Sequence, residues 1–153
     1  MFVLVQIRGT VNTRGDIKDT LKMLRLHHIN HCVLIPDTPA YVGMIRKVKD
    51  YIAWGEVDAQ VLAELLRNRG RLTGNVRLTD AYIKENSQYT DISEFALSLA
   101  NGEARMADIP GLKPVLRLHP PRKGHKTTKR TYQQGGSLGY HGEAINALLY
   151  RMR

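Results

Sequence analysis

Over its first sixty residues the chain alternates short β-branched runs with stretches whose apolar residues recur at helical spacing. That alternation restricts the fold more than any other feature. Residues 2–8, FVLVQIR, are apolar and β-rich and stop at Gly9, which predicts a first strand. Thr13 and Asp16 have capping-box spacing, with Asp in place of the usual Glu or Gln. Ile17, Leu21, Leu24 and His28 then follow at i, i+4, i+7 and i+11, one stripe of an amphipathic helix. Cys32 to Ile35 is a short apolar run ended by Pro36, a second strand. Thr38-Pro39 places a hydroxyl at an N-cap and proline at the first helical position. Val42, Ile45, Val48 and Ile52 form the buried face of that second helix, with Arg46, Lys47 and Lys49 mostly off it. Ala53 to Val57 is the third strand expected, with Gly55 inside it. The order is β-α-β-α-β.

Helical signals dominate the rest. Asp58 can cap a helix carrying Val61, Leu62, Leu65 and Leu66, stopped by Gly70. Asp91 and Glu94 flank another start, with Ile92, Phe95, Ala96 and Leu99 inside and Gly102 at its end. Pro110-Gly111 breaks the chain, and residues 115–118, VLRL, read as one more strand. Residues 119–142, HPPRKGHKTTKRTYQQGGSLGYHG, hold almost nothing apolar beyond Leu138 and the tyrosines. Such a segment has too little surface to bury itself. A final helix from Glu143 to about Arg151, with Ile145, Leu148 and Leu149, is expected to dock on the globule. The polar segment would then be a mobile loop fixed at both ends.

Charge singles out the same segment. The chain of 153 residues has a formal net charge of +9. Residues 109–142 carry seven basic groups (Lys113, Arg117, Arg122, Lys123, Lys126, Lys129, Arg130) and no acid, whereas residues 80–108 carry two basic and six acidic groups. Lysine and arginine neutralise phosphates and release counterions. The rings of Tyr132, Tyr140, His119, His125 and His141 can stack on unpaired bases. Charge, rings and glycines without acids point to nucleic acid.

Other chemistries find less support. His27, His28, His31 and Cys32 carry zinc-ligand types. However, Cys32 opens a buried strand, and histidines near a helix C-terminus have a dipole to complement, so no metal is expected. Gly135-Gly136-Ser137-Leu138-Gly139 precedes a helix but lacks the Gly-Lys-Ser/Thr of a Walker loop, and no strand directly precedes it as a dinucleotide fold requires. No oriented acid lies near Ser137 and His141, and no carboxylate pair stands out. An RNA-modifying or metal-dependent enzyme built on the histidine cluster is the rival reading, separable by a zinc assay. A basic membrane-surface protein is the third, and the chain lacks the helix that would serve it. No apolar run approaches the roughly 20 residues that span a bilayer, and the N-terminus does not read as a signal peptide. A single cysteine, Cys32, fits a reducing cytoplasmic setting.

The run from Thr20 to Ile52, TLKMLRLHHINHCVLIPDTPAYVGMIRKVKDYI, resembles the hallmark region of the L-thirty family of ribosomal proteins, called L-seven in the cytosolic ribosomes of eukaryotes. The elements that match are the apolar helix end (Leu21, Leu24, Leu26), the polar turn with His28 and His31, the strand at Val33, and Met44 to Ile52 on the next helix. VQIRGTVN near the start and LRLHPPRKGH and GGSLGYHG near the end resemble archaeal members, so the likeness covers essentially the whole chain. It implies an α+β, ferredoxin-like core over 1–57, with a three-stranded antiparallel sheet and two helices on one face. Residues 58–153 would be an extension of helices and a basic loop. It implies a non-catalytic constituent of the large subunit with no cofactor. The partners implied are large-subunit ribosomal RNA, in the general neighbourhood of that subunit's small RNA, and adjacent ribosomal proteins, without stable homo-oligomers. By position, the RNA-facing parts fall on the turn after strand one (Asn12, Thr13, Arg14 and Gly15), the start of helix two (Thr38, Pro39 and Ala40) and the basic tail. With the helix-two cations Arg46 and Lys47, the expected RNA-binding set is completed by Arg117, His119, Arg122, Lys123, His125, Lys126, Lys129, Arg130 and Tyr132.

Overall fold

A computed structural model describes residues 1–153. Its centre is an antiparallel sheet of β1 (Phe2–Gln6), β2 (His31–Ile35) and β3 (Ile52–Glu56), with β1 in the middle. Phe2 pairs with Ile35 on one side and with Glu56 on the other. Side chains alternate across a strand, and here both faces are covered. Leu4, Val33, Ile35 and Ile52 face α1 (Gly15–Met23) and α2 (Pro39–Val48), joining Leu21, Leu24, Leu26, Ile45 and Val48 in a small core. Val3, Val5, Cys32 and Ala53 face the other way, into a larger core supplied by the rest of the chain. That core has 28 buried residues against nine in the first, so the elements after residue 57 are integral to the packing. Two-sided burial is why these strands read as continuous apolar runs rather than as alternating ones.

The covering elements are α3 (Ala59–Arg69), the short α4 (Asp80–Asn86), α5 (Ile92–Asn101) and α6 (Ile145–Met152). Asp91 caps α5 by accepting the Glu94 N–H at 2.8 Å, while Glu94 reaches back to the Thr90 N–H at 2.7 Å. Gly102 closes the helix at φ 83°. Phe95, Leu99, Leu62, Leu65 and Leu66 are buried where α5 and α3 meet.

The sheet has two strands more than the three of the expected core. β4 (Val115–Arg117) extends the β2 edge antiparallel, as the VLRL run suggested. β5 (Gly139–Tyr140) adds to the β3 edge in parallel and was not foreseen. It shortens the loop expected over 119–142: Gly136, Ser137, Leu138, Gly139 and His141 are buried, and the His141 N–H donates to the Trp54 carbonyl at 2.9 Å. The long-range pairing of β5 with β3 supplies the burial that local composition lacked.

Helix boundaries also differ. Thr13 does not cap α1; Arg14 holds the N-cap position and makes no side-chain cap bond. The stripe ends before His28, which is exposed, because α1 stops at Met23 and Arg25 turns back at φ 60°. Ile52 belongs to β3 rather than to α2.

Candidate nucleic-acid interface

The expected RNA-facing residues occupy several surfaces. Arg14 and Lys47 meet over Asp16, at 3.3 and 3.7 Å, tying the turn after β1 to the last turn of α2. Asn12 lies exposed in that turn at φ 55°. Thr38 and Pro39 begin α2 after Ile35, whereas the Asn12–Gly15 turn follows Gln6, so the two leave the sheet from opposite ends of β1. Thr38 is extended (φ −127°, ψ 151°) and its hydroxyl makes no cap bond, which leaves the first N–H groups of a ten-residue helix open to an anion. Arg117 is exposed on the β4 edge opposite His31.

The basic arm is stitched down at both ends. His119 and Arg122 donate their backbone N–H groups to the Met152 and Arg151 carbonyls, at 2.9 and 3.0 Å, which satisfies the last carbonyls of α6. Arg151 returns Nε to the Arg122 carbonyl at 3.0 Å and also binds the Gly124 carbonyl. Further on, Ser137 N–H donates to the Thr127 carbonyl at 3.0 Å and Tyr132 N–H to the Leu138 carbonyl at 2.8 Å. Gly136 is required here, since a Cβ would sit 1.9 Å from the Arg130 carbonyl oxygen. Between these anchors Lys123, Lys126, Lys129 and Arg130 are exposed.

Tyr132 stacks on His141, with ring centroids 4.2 Å apart, while remaining 43% exposed. Burial pushes the His141 imidazole below its ordinary pKa, and Nε2 lies 3.1 Å from the Ser137 carbonyl. His125 is lowered as well, first by burial and then by Arg151 and His141. A second aromatic row crosses the sheet. Phe2 meets Trp54 edge-on at 5.3 Å, and Trp54 meets Tyr140 at 4.6 Å, whose hydroxyl donates to Glu56 at 2.7 Å. Arg46 of α2 and Lys49 just after it join Trp54, Tyr132 and Tyr140 around a shallow cleft of about 190 Å³. Cations beside flat rings suit a base and its phosphate.

The most concentrated charge was missed in the sequence. Arg67, Arg69, Arg71, Arg77, Arg122 and Arg153, with Asn68, His119 and Glu64, line a cleft of about 600 Å³ that has no hydrophobic residue. Of the expected set it includes only His119 and Arg122. The signal was present: residues 65–79 hold four arginines and no acid. Over residues 1–79 as a whole, seven acids dilute it.

The histidine cluster is not arranged as a metal site. His28 and His31 rings meet edge-on at 5.1 Å, but Cys32, the next residue in β2, faces the large core on the other side of the sheet. Burial pushes its thiol up to about 12.

Residues 2–52 match the family described as ribosomal protein L30p/L7e. Over their full lengths, the chain is 70% identical to the large ribosomal subunit protein uL30 of Methanoregula boonei and 67% identical to that of Methanocorpusculum labreanum. It is 60% identical, again over both full chains, to that of Archaeoglobus fulgidus.

The chain belongs to the ribosomal protein L30p/L7e family.

The 2–52 match takes in β1, α1, β2 and α2 and stops at the first residue of β3. It therefore includes the Asn12–Arg14 turn, the Thr38–Pro39 helix start, Arg46 and Lys47, but neither the basic arm nor the arginine cleft. Those two belong to the part of the chain that only the full-length relatives share.

Proposed function

We propose that this chain is a structural, non-catalytic constituent of the cytoplasmic large ribosomal subunit, where it binds and stabilises large-subunit ribosomal RNA. The observation that carries the reading is unpaired positive charge. Of 23 lysines and arginines, only Arg14, Lys47 and Arg153 stand in an ion pair with a carboxylate. Positive charge exposed on this scale asks for a polyanion, and the relatives are named as large-subunit proteins. Residues 1–57 act as the family core and 58–153 as its extension. RNA is held by the turn at Asn12, Thr13 and Arg14, by the α2 start at Thr38 and Pro39, and by Arg46, Lys47 and Arg117. The arm adds His119, Arg122, Lys123, His125, Lys126, Lys129 and Arg130, with the free face of Tyr132 against a base or sugar. The further partners are neighbouring large-subunit proteins, in the vicinity of the subunit's small RNA, and the chain functions as a single copy.

Filter binding to transcribed large-subunit RNA over a range of NaCl tests this. The log–log slope should be steep, roughly −0.7 to −0.9 per phosphate neutralised. Replacing Lys123, Lys126, Lys129 and Arg130 together by glutamine should make it shallower with the fold intact, because these side chains are exposed and make no internal ion pair. A parent slope near zero would reject RNA binding. A variant slope equal to the parent's would remove the arm from the interface.

A further inference from the structure

The arginine cleft is assembled from separate stretches of chain. Arg67 and Arg69 end α3, and Arg71 and Arg77 face each other across an antiparallel bridge in the turn that follows. Arg122 opens the basic arm and Arg153 ends the chain. Helix-end cations have an ordinary explanation in the helix dipole, which covers Arg67 and Arg69. The same holds for Arg153, which caps the end of α6, but not for Arg71, Arg77 and Arg122.

Internal partners are few. Glu64 is the only acid in the cleft and is taken by Arg153. Arg67 donates to the Ser93 hydroxyl at 2.9 Å. Arg69, Arg71, Arg77 and Arg122 have no carboxylate. Two of their nitrogens, Arg69 Nε and one terminal guanidinium nitrogen of Arg71, are buried with no hydrogen-bond partner. Like charges placed directly opposite across a strand pair destabilise it, and a buried charged donor without an acceptor costs more than a neutral one. The Arg69 guanidinium is itself driven below its ordinary range, by burial first and then by Arg71 and Arg77.

A fold that concentrates uncompensated charge in this way is suited to an anion that arrives from outside. Guanidinium forks match phosphate oxygens two at a time. One phosphodiester carries one charge, which would leave most of these arginines uncompensated. The cleft is large enough for more, and its lining without apolar side chains offers nothing to an apolar ligand.

We infer that the cleft formed by Arg69, Arg71, Arg77 and Arg122 holds two or more RNA phosphates at once, clamping a point where the backbone doubles back or two strands approach each other. The inference rests on the reading of the chain as an RNA-binding ribosomal protein. It assigns to the cleft a task distinct from that of the arm: the arm follows one strand, and the cleft fixes a place where phosphates must be crowded together.

The test uses inorganic tripolyphosphate as the probe for clustered phosphate and transcribed large-subunit RNA as the biological source. Thermal melts compare the parent with R71Q/R77Q at matched ionic strength. Tripolyphosphate should raise the parent melting temperature by several degrees, and orthophosphate by much less. The double variant should lose that rise and, in phosphate-free buffer, melt at or above the parent, since repulsion across the bridge is gone. R122Q, from a different segment, serves as a second variant and should weaken the rise in part. In RNA binding, R71Q/R77Q should flatten the log–log salt slope by about 1.4 or more, the equivalent of two phosphates. An equal rise in parent and double variant, or no rise in either, overturns the cleft assignment even if the parent still binds RNA. Failure of the parent to bind RNA at all overturns the ribosomal reading beneath it, and the proposal with it.

Discussion

Replacing Gly55 by alanine would put a methyl group where another segment's backbone already runs. Gly55 lies next to the end of β3, and a Cβ there would meet the Gly142 carbonyl oxygen at 2.2 Å and Ile145 Cγ2 at 3.0 Å. Ordinary contact begins near 3.4 Å, so the turn leading into α6 must move by about 1 Å. Overpacking of this kind costs roughly 1–3 kcal/mol. The shift also strains the bond from His141 N–H to the Trp54 carbonyl, worth about 1 kcal/mol. Against this, alanine restricts the unfolded chain and returns about 0.5–1 kcal/mol. The net expectation is a loss of about 2 kcal/mol, or roughly 4–8 °C in melting temperature for a chain of this size. Gly43 provides the control. It sits inside α2 with nothing within 4 Å of its Cβ position, so G43A takes the same unfolded-state gain plus helix propensity. It should stabilise by about 0.5–1 kcal/mol. Thermal denaturation of both variants by circular dichroism reads the contrast. Shifts of the same sign would refute the docking of the 139–145 segment on β3.

Leu24, 3% exposed in the small core, should lose roughly 2–5 kcal/mol on change to alanine, measured as a lower urea midpoint. Cys32 is fully buried with its thiol raised to about 12, so a thiol reagent at pH 8 should leave the native chain unmodified and label it only in denaturant. His31, His125 and His141 all have folded pKa values lowered from 6.5, so the unfolded chain binds more protons as pH falls below that value. Stability should therefore decline as pH falls below 6.5, and H141Q should show a flatter decline in melts over that range.

Most elements through α5 were legible because their signals are local. Contiguous runs such as Val3-Leu4-Val5 mark strands covered on both faces, and Thr38-Pro39 and Asp91 with Glu94 mark helix starts. What escaped is too short to show a stripe, depends on a partner far away in sequence, or turns on one residue's backbone. α4 has seven residues and a single buried one, Ile83, too little for a stripe. β5 has two residues, Gly139 and Tyr140, and exists through pairing with Ala53 and Trp54. The stop of α1 at Met23 turns on the left-handed Arg25, a residue type that carries no such signal. For the interface, the acid-free arm stood out from composition, and Arg122 and His119 were placed in the expected set. The arginine cleft did not stand out, because three distant segments must fold together before their charges meet.

On the reading proposed above, this chain contacts and stabilises large-subunit ribosomal RNA through its extension as well as its core. Chemical footprinting of large subunits assembled with and without the chain tests it most directly. Backbone protections should appear only when the chain is present. A subset should be lost with the arm's four cations replaced, and a separate subset lost with R71Q/R77Q. Reactivity identical in the two assemblies would contradict it.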